Sequence, residues 1–527
     1  MSEHKITVFS EDGEEKRLSA PAGALFLQLL KGNGYPLVCC SGKGGCGRCR
    51  IRFSDGDAPL PAPADRNVLT AQELRGGVRL ACVHRVKRDC RIRVEFVHPK
   101  QVEVVTGYTG ALPEEEQTDK EQEKGTEKSR EGKSDDMRQE PCLLAMDLGT
   151  TTIAANLVSI ASIRNFRRGF SETGKNREGA EIRVLAQAGR MNPQREWGSD
   201  VISRIQAAGR GEAASLRDTV REAAALLILE IMEKTGRMPE KICLAGNTVM
   251  EHLFLGLDVS GLGSYPFRPV SLEEQRFELP LPGKSASGSA ASTESRSCTV
   301  QLLPGISAFV GADILAGLLA CGFGEPEDTR CRLFIDLGTN GEMAIGNGKR
   351  LICTATAAGP AFEGGASANV PGTDMIAILA RLLREEKIDR TGLLCEELFE
   401  QGWQEGELRV TQQDIRALQT AKAAVRTGVE LLMKRMDVSC EDVEAVYLAG
   451  GFGRFLDVES AARIGLFPPD LAGKVRAVGN TSLLGAAVYG ACPEAPALAQ
   501  VLKEKAEVMN LAEEPGFYEK YLENLEF

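Results

Sequence analysis

The sequence has 527 residues, of which 43% are hydrophobic, and a formal net charge of −11. This length predicts two to four globular domains, and the acidic balance argues against nucleic acid and against an anionic membrane surface as partners. Fifteen cysteines, an odd number spread over a long chain, argue against a disulfide framework. The sequence opens without a signal peptide and contains no run of about 18 apolar residues, so we expect a cytoplasmic protein.

Residues 1–98 are predicted to form a small β-rich domain. Alternating apolar residues predict two strands joined by a turn at Glu11-Asp12-Gly13. A helix is expected at residues 24–30, and further strands at 50–53 and 90–96.

A glycine-rich loop between the helix and the third strand contains three cysteines, Cys40, Cys46 and Cys49. Cys82 follows after 32 intervening residues, which gives the pattern C-x5-C-x2-C and then a fourth cysteine. Such a loop directs sulfur atoms and backbone N–H groups to one centre, which favours an iron–sulfur cluster. A structural zinc site is the alternative, but it usually pairs two short C-x2-C units, and only one is present. Cys39 stays open as the first ligand, whereas Cys90 shares a strand face with apolar residues and is predicted to lie in the core.

These residues resemble the 2Fe-2S ferredoxins of the β-grasp fold over about the first 98 positions. The resemblance implies that a 2Fe-2S cluster is held by four thiolates, those of Cys40, Cys46, Cys49 and Cys82. The spacing within that family selects Cys40 over Cys39.

Residues 99–141 are predicted to be a charged, flexible linker. Within them, residues 113–140 contain 11 acidic and 6 basic side chains and no aromatic residue. Such a composition cannot bury enough apolar surface to offset the entropy of ordering. A solvated helix is the alternative, and it would also act as a spacer. A second segment, residues 284–297, is rich in Ser, Ala and Gly and is predicted to be a disordered loop.

Residues 142–493 contain an internal duplication. The strand ending in Asp147-Leu148-Gly149-Thr150-Thr151 has the same layout as the one ending in Asp336-Leu337-Gly338-Thr339-Asn340-Gly341-Glu342. Each half then reaches a second strand that ends in glycine, at Gly246 and at Gly450-Gly451. The repeat predicts two related lobes, residues 142–325 and 326–493, followed by a helical tail at 494–527.

The repeated turns suit a nucleotide. Glycine allows the backbone to approach a phosphate, amide and hydroxyl groups donate to its oxygens, and a carboxylate at a strand end can hold Mg²⁺, usually through water. Ordinary strand-ending turns of an α/β protein are the alternative.

The set of turns resembles the phosphate and adenosine motifs of the actin, sugar-kinase and heat-shock-chaperone ATPase superfamily. Further segments are similar to signatures of one family, the reductive activators of corrinoid-dependent methyltransferases: residues 191–194, 198–205, 305–313, 358–365 and 479–486. The sequence departs from that family in two ways. It has a charged linker where longer members have an extra small domain, and it has only Cys492 near the end where some relatives have a second cluster domain.

The resemblance implies ATP-dependent reduction of a corrinoid protein from cobalt(II) to cobalt(I), with the 2Fe-2S cluster as electron donor. It further implies that Asp147 and Asp336 hold Mg²⁺. Glu342 and Asp313 are polar residues in motif-rich turns; Glu342 is predicted to have a catalytic, water-positioning role, and Asp313 is a secondary candidate. The phosphate loops would be formed by Gly149, Thr150, Thr151, Gly338, Thr339 and Asn340. The adenosine site would be lined by Gly450, Gly451 and Gly479.

The expected partners are a corrinoid protein and an upstream electron donor such as ferredoxin or flavodoxin, and a homodimer stays open. Three other functions use part of the same residues: an ATP-driven activator of another low-potential enzyme such as a radical dehydratase, a small-molecule kinase, and a non-catalytic redox-sensing ATP-binding module.

Overall fold

The computed structural model describes most of the chain: residues 3–9, 15–35, 37, 44, 49–54, 56–69, 71–94, 140–165, 182–198, 200–281, 297–338, 340–359, 361–362, 372–406, 408–450 and 456–527. Some residues named above therefore lie outside the described part: the predicted turn Glu11-Asp12-Gly13, and Cys39, Cys40, Cys46, Thr339 and Gly451. So do almost all of the predicted linker at 99–141 and of the predicted loop at 284–297.

The N-terminal part contains one five-stranded sheet. Its strands are β1 (Glu3–Phe9), β2 (Glu15–Pro21), β3 (Arg50–Phe53), β4 (Val78–Leu80) and β5 (Cys90–Val94), in the order β2-β1-β5-β3-β4. Three short helices accompany them, α1 (Phe26–Lys31), α2 (Pro63–Val68) and α3 (Ala71–Arg75). The inward residues of β1 and β5, Ile6, Val8, Ile92 and Val94, are fully buried, as their alternation predicts. The ring of Phe26 in α1 packs edge-on against Phe53 of β3.

A six-stranded sheet follows, in the order β10-β11-β9-β6-β7-β8. Its strands are β6 (Cys142–Leu148), β7 (Thr152–Ser159), β8 (Val184–Met191), β9 (Lys241–Gly246), β10 (Gln275–Pro280) and β11 (Ser297–Leu302). Its helices are α4 (Val201–Ala207), α5 (Ala213–Thr235) and α6 (Thr248–Leu255), and α7 (Ala312–Ala320) connects it to the next sheet.

The second six-stranded sheet has the order β18-β17-β12-β13-β14-β19. Its strands are β12 (Cys331–Leu337), β13 (Gly341–Gly346), β14 (Leu351–Thr356), β17 (Val443–Ala449), β18 (Val475–Gly479) and β19 (Ala506–Val508), and β15 (Trp403–Glu405) and β16 (Leu408–Val410) form a separate hairpin. The helices are α8 (Gly372–Arg384), α9 (Glu396–Phe399), α10 (Gln412–Met436), α11 (Val458–Arg463), α12 (Thr481–Ala491), α13 (Ala495–Lys505) and α14 (Phe517–Glu523). Helix α10 begins after Thr411, whose hydroxyl accepts the N–H of Asp414 at 3.3 Å.

The two six-stranded sheets share a central arrangement. In the first, β6 pairs antiparallel with β7 and parallel with β9. In the second, β12 pairs antiparallel with β13 and parallel with β17. As a result, Asp147 and Asp336 occupy the same place, one residue before the carboxyl end of a central strand.

Helices α7 and α12 cross in direct backbone contact. A Cβ atom at Gly485 of α12 would lie 1.9 Å from the carbonyl oxygen of Ala316 in α7. A Cβ atom at Gly317 would lie 2.5 Å from the Phe334 ring of β12. All eleven residues of α12 are buried. The crossing therefore depends on glycine, since no larger residue fits at the contact.

The segment at 494–527, predicted to be helical, contains helices α13 and α14 and in addition the strand β19. Residues 506–508 pair parallel with β14 at the edge of the second sheet. The prediction did not include this strand, because three residues are too few to show a period of two. Within the described part of the chain, no helix is long and apolar enough to cross a membrane.

Several cysteines lie inside the sheets and helices rather than in the glycine-rich loop. Burial raises the pKa of the thiols of Cys243, Cys321 and Cys353 to about 12. Cys90 of β5 is 7% exposed, and burial likewise raises the pKa of its thiol to about 12. This placement agrees with a core role for Cys90.

Candidate functional site

The sheet register of the N-terminal part brings two of the predicted cluster ligands together. Cys49 immediately precedes β3, and Cys82 follows the end of β4, its antiparallel partner. The N–H of Ala81 donates to the carbonyl of Cys49 at 2.7 Å. Cys49 is only 1% exposed, and Cys82 is only 5% exposed. Two thiols that are distant in sequence are thus brought to neighbouring, shielded positions, which fits a cluster coordinated by thiolates.

Gly44, a glycine between the predicted ligands, lies close to helix α2. It has a φ of +74°, and a Cβ atom there would lie 2.6 Å from the Cβ of Ala64 in α2. Only glycine therefore fits at this position.

A buried carboxylate supports the segment that contains Cys82. Asp65 accepts the backbone N–H of Leu80 at 2.9 Å and that of Ala62 at 2.7 Å, and it pairs with His84 Nε2. Burial acts to raise the pKa of Asp65, but the hydrogen bonds from His84, Leu80 and Ala62 outweigh it and hold the pKa below its ordinary value. No sequence pattern indicated this pair, because Asp65 and His84 belong to no motif.

Five carboxylates, of which two are buried and three are half-buried, converge where the two larger sheets meet. Asp336 of β12 lies directly opposite Glu342 of β13 in the antiparallel ladder, so both side chains project from the same face. Burial raises the pKa of Asp336 to about 8, and repulsion from Asp313 and Asp147 adds to the effect. Burial also raises the pKa of Glu342 well above its ordinary value, again with repulsion from Asp313 and Asp336.

Two further members of this carboxylate cluster come from helices. Burial, with a further contribution from Asp147, raises the pKa of Asp313, in the first turn of α7, to about 7. Glu251 of α6 is 8% exposed, and burial followed by repulsion from Asp313 raises its pKa well above the ordinary range. The cluster therefore consists of Asp147, Glu251, Asp313, Asp336 and Glu342.

The donor set of this cluster fits a hydrated Mg²⁺ ion accompanying a nucleotide. Mutual repulsion opposes ionisation of these carboxyl groups, and a divalent cation between them would offset that repulsion. Among the described residues, no three acidic, histidine or cysteine side chains are arranged to hold a metal ion directly. Mg²⁺ usually keeps several of its waters in nucleotide sites, so contacts through water suit this arrangement.

Asp147 is held by residues from the far end of the chain. Its Oδ2 accepts a hydrogen bond from Asn480 Nδ2, and its Oδ1 accepts one from Ser482 Oγ, both at 2.8 Å. Burial raises the pKa of Asp147, and these two bonds act in the opposite direction.

The first glycine turn, residues 149–151, is anchored through its carbonyl groups. Asn192 donates from its side chain to the carbonyl of Gly149, and its backbone N–H donates to the carbonyl of Thr151, both at 2.9 Å. Arg204, which is fully buried, donates to the carbonyl of Thr150 at 2.5 Å. The three carbonyl groups of the turn thus all accept hydrogen bonds, which fixes the path of its backbone.

The second glycine turn lies against Gly450. The N–H of Gly338 donates to the carbonyl of Asn340 at 2.9 Å, which closes the turn. Gly450, with a φ of +89°, follows β17, and a Cβ atom there would lie 2.7 Å from Asp336 Oδ1. Only glycine fits beside this carboxylate. Gly479, with a φ of +70°, ends β18 next to Asn480.

Comparison with known proteins covers most of the chain. Residues 9–87 match the 2Fe-2S iron-sulfur cluster binding domain, residues 177–325 match the RACo middle region, and residues 330–370 and 367–527 match the C-terminal domain of RACo, the ASKHA domain. The corrinoid activation enzyme RamQ of Eubacterium limosum is 30% identical over 450 residues, which cover 73% of this chain and 70% of RamQ. The chain belongs to the family of reductive corrinoid activators.

Two further relatives agree with membership of this family. The Co(II) methylated amine-specific corrinoid protein reductase of Methanosarcina barkeri is 27% identical over 240 residues, which cover 35% of this chain and 43% of that protein. The solved structure of a reductive activator for a corrinoid, iron-sulfur protein has the same fold, with a TM-score of 0.60, 24% identity, and coverage of 99% of this chain and 98% of that one. The predicted family and the predicted fold class, a ferredoxin domain followed by an actin-like ATPase domain, are confirmed.

Family membership gives the cofactors of the two parts. The N-terminal domain is a 2Fe-2S cluster-binding domain, and the ASKHA domain is an ATP-binding domain. The individual ligand and nucleotide residues, and the domain boundaries, stay predictions. The described members of the predicted nucleotide set lie at or near the carboxyl ends of β6 in the first six-stranded sheet and of β12, β17 and β18 in the second.

Sequence reasoning missed several residues of this site. Asn480 and Ser482 lie in a segment identified as a family signature, but nothing in the sequence connected them with Asp147. Glu251 follows Gly246 by five positions in a helix and belongs to no motif that would have indicated it. Asp313 was predicted only as a secondary polar group, and the structure places it among the four other carboxylates.

Proposed function

We propose that this protein uses ATP to reduce the inactive cobalt(II) corrinoid of a partner protein to cobalt(I). The observation that carries the proposal is the similarity to RamQ, a corrinoid activation enzyme, over 70% of the length of RamQ. The matches to a 2Fe-2S domain and to an ASKHA domain supply the two parts that such a reaction needs, an electron carrier and an ATPase.

Thermodynamics explains why ATP belongs in this reaction. A 2Fe-2S cluster of the plant type has a reduction potential near about −400 mV. Reducing a ligated cobalt(II) corrinoid requires a lower potential than that, so the electron transfer runs uphill. An external source of free energy is therefore required, and the ATPase domain provides it.

In this proposal the N-terminal thiols, Cys40, Cys46, Cys49 and Cys82, hold the cluster, which supplies one-electron transfer. Gly149, Thr150 and Thr151, together with Gly338, Thr339 and Asn340, contact the phosphates. Asp147 and Asp336 face Mg²⁺, Glu342 positions water, and Gly450, Gly451 and Gly479 line the adenosine site. The buried positions of Cys49 and Cys82 and the convergence of carboxylates from both sheets support these assignments.

ATP can promote the reduction only through a difference in binding. Nucleotide shifts the protein between two conformations to the extent that it binds one of them more tightly. If the nucleotide-bound conformation also binds the corrinoid protein in its more easily reduced form, part of the free energy of nucleotide binding is transferred to cobalt. An upstream one-electron carrier such as ferredoxin or flavodoxin then re-reduces the cluster, and we place this cycle in the cytoplasm.

The decisive experiment mixes the reduced holoprotein, Mg-ATP and a candidate cobalt(II) corrinoid protein under anaerobic conditions. We expect the absorption band of cobalt(I) to appear with Mg-ATP and to stay absent when ATP is omitted. The absence of this band with ATP present, across the corrinoid proteins of the source organism, would falsify the proposal. ATP hydrolysis that persists when the cluster ligand Cys46 is replaced by Ser, together with transfer of phosphate to a small molecule, would identify a kinase instead.

A further inference from the structure

Helix α12 starts in one sheet and is attached to the other. Strand β18 pairs with β17 in the second sheet, and only Asn480 separates its last residue, Gly479, from α12. The start of α12 contacts Asp147, which lies in the first sheet and 333 positions earlier in the sequence than Asn480. The start of α12 is therefore connected to the second sheet by the chain and to the first sheet by hydrogen bonds.

The far end of α12 is also held by residues from the first half of the chain. Lys241 Nζ donates to the carbonyl of Gly490 at 3.0 Å, and Arg164 Nε donates to the carbonyl of Ala491 at 2.6 Å. Tyr489 donates from its hydroxyl to Glu274 Oε2 at 2.7 Å. Cations suit the carboxyl end of a helix, where carbonyl groups lack helical partners. Helix α12 is thus fixed to the first sheet at both ends.

Asn480 has two functions at once in this arrangement. Its Oδ1 accepts the N–H of Leu483 at 3.0 Å and so caps α12, while its Nδ2 donates to Asp147. The cap sets the orientation of the amide, because the oxygen must face the helix and the nitrogen must then face the carboxylate. Ser482, in the first turn of α12, supplies the second donor.

We propose that Asn480 and Ser482 are positioning residues that orient Asp147 toward the Mg-nucleotide and make its position depend on helix α12. This inference rests on the proposed function in one respect, namely that Asp147 faces Mg-nucleotide. A carboxylate has about four acceptor positions, so two donors leave positions for the waters of a hydrated Mg²⁺ ion. Because α12 continues from the second sheet, any displacement of that sheet relative to the first acts on Asp147 directly.

The test compares three single substitutions in the full-length holoprotein. Asn480→Asp keeps an oxygen that can cap α12 but replaces the donor to Asp147 with a repelling carboxylate. Ser482→Ala removes the second donor and nothing else. Thr481→Val is the matched control, because Thr481 is buried between them and its hydroxyl has no hydrogen-bond partner among the described residues.

The primary readout is the affinity for a fluorescent ATP analogue, titrated with Mg²⁺ and, separately, with EDTA. We expect Asn480→Asp to weaken Mg²⁺-dependent binding by about tenfold or more and Ser482→Ala by about threefold to tenfold, since hydrogen bonds to charged groups are among the stronger ones. Binding in EDTA should change little, and Thr481→Val should stay within about twofold of the unmodified protein under both conditions. In ATPase assays, both variants should need a higher Mg-ATP concentration for half-maximal activity. A variant that is only partly folded would instead lose maximal activity at an unchanged half-maximal Mg-ATP concentration.

The outcomes separate the inference from the proposed function. If both Asn480→Asp and Ser482→Ala bind nucleotide with unchanged Mg²⁺ dependence, the inference is wrong even where a melting temperature falls, because the two residues then have only a structural role. If the unmodified protein shows no Mg²⁺-dependent nucleotide binding, the proposed function itself fails. A Mg²⁺-specific loss in both variants, with Thr481→Val unchanged, supports the inference.

Discussion

The folded protein disfavours the negative charge that the Asp336 side chain would carry at neutral pH in an unfolded chain. It is half-buried near the carboxyl groups of Asp147, Asp313 and Glu342, and its pKa is raised to about 8, whereas an aspartate in an unfolded chain titrates near about 4. Between these two values the folded protein holds a proton that the unfolded chain has lost. The free energy of unfolding of the nucleotide-free protein therefore falls as the pH rises through this window.

Replacing Asp336 with Asn tests this reasoning. In nucleotide-free protein, Asp336→Asn should raise the melting temperature by several degrees at pH 8 and change it little near pH 4.5, because the amide carries no charge at either pH. The same variant should lose the stabilisation that Mg-ATP gives to the unmodified protein. Differential scanning calorimetry at the two pH values provides the measurement.

Glu222→Gln, a neutralisation on the exposed side of α5, serves as the control and should show no such pH dependence. An equal change for Asp336→Asn at both pH values would show that the carboxyl group is not under electrostatic strain.

The residues of the candidate site that belong to local patterns could be proposed from the sequence. Asp147 and Asp336 lie near strand ends next to glycine turns. A stretch of about ten residues is enough to recognise such a pattern. Asn480, Ser482 and Glu251 could not be found in this way, because their function depends on contacts between segments far apart in the chain. Asp65 and His84 were missed for the same reason, since a buried hydrogen-bonded pair has no characteristic spacing in the sequence.

Among the larger elements, the crossing of α7 and α12 is the tightest contact described. Gly485 meets the backbone of Ala316 directly, and α7 carries Asp313 while α12 starts at Asn480. A change in the separation of these two helices therefore moves two groups of the nucleotide site together. Both helices begin in segments that resemble family signatures, residues 305–313 and 479–486, but the sequence could not predict that the two helices touch.

Gly485→Ala should separate the two helices. A Cβ atom 1.9 Å from a carbonyl oxygen cannot be accommodated by rotating a side chain, so we expect a loss of about 3 kcal/mol in the free energy of unfolding. Urea unfolding followed by circular dichroism measures this loss. At Gly473, by contrast, no described atom lies within 4 Å of the position that an added methyl group would take, so Gly473→Ala should stay within about 0.5 kcal/mol. Equal stability of the two variants would contradict the described contact.

For the whole molecule, the chain order separates an electron-carrying domain from an ATP-binding one. The two are built on separate sheets with separate cores. Loss of one cofactor is therefore expected to leave the binding of the other intact, even though the complete reaction needs both. The linker and the glycine-rich loop lie largely outside the described residues, so their predicted roles rest on sequence alone.

Cys82→Ala should abolish the visible absorption of the iron–sulfur cluster and the reduction of corrinoid, while the affinity for Mg-ATP stays within about twofold of the unmodified protein. Cys90→Ala is the matched control, because Cys90 is similarly buried in the same domain but is predicted to be a core residue. It should retain the full iron content. Loss of iron in both variants would mean that the domain fails to fold rather than that Cys82 is a ligand.

The burial of these cysteines also determines which thiols an alkylating reagent can label. Alkylating reagents such as iodoacetamide react with the thiolate, and a thiol with a pKa of about 12 is ionised in only about one molecule in ten thousand at pH 8. Cys90, Cys243, Cys321 and Cys353 are therefore expected to remain unlabelled while the protein is folded. Alkylation mapped by mass spectrometry therefore has a low background at these four sites. Labelling of the cluster thiols after treatment with air or chelators should be detectable above it.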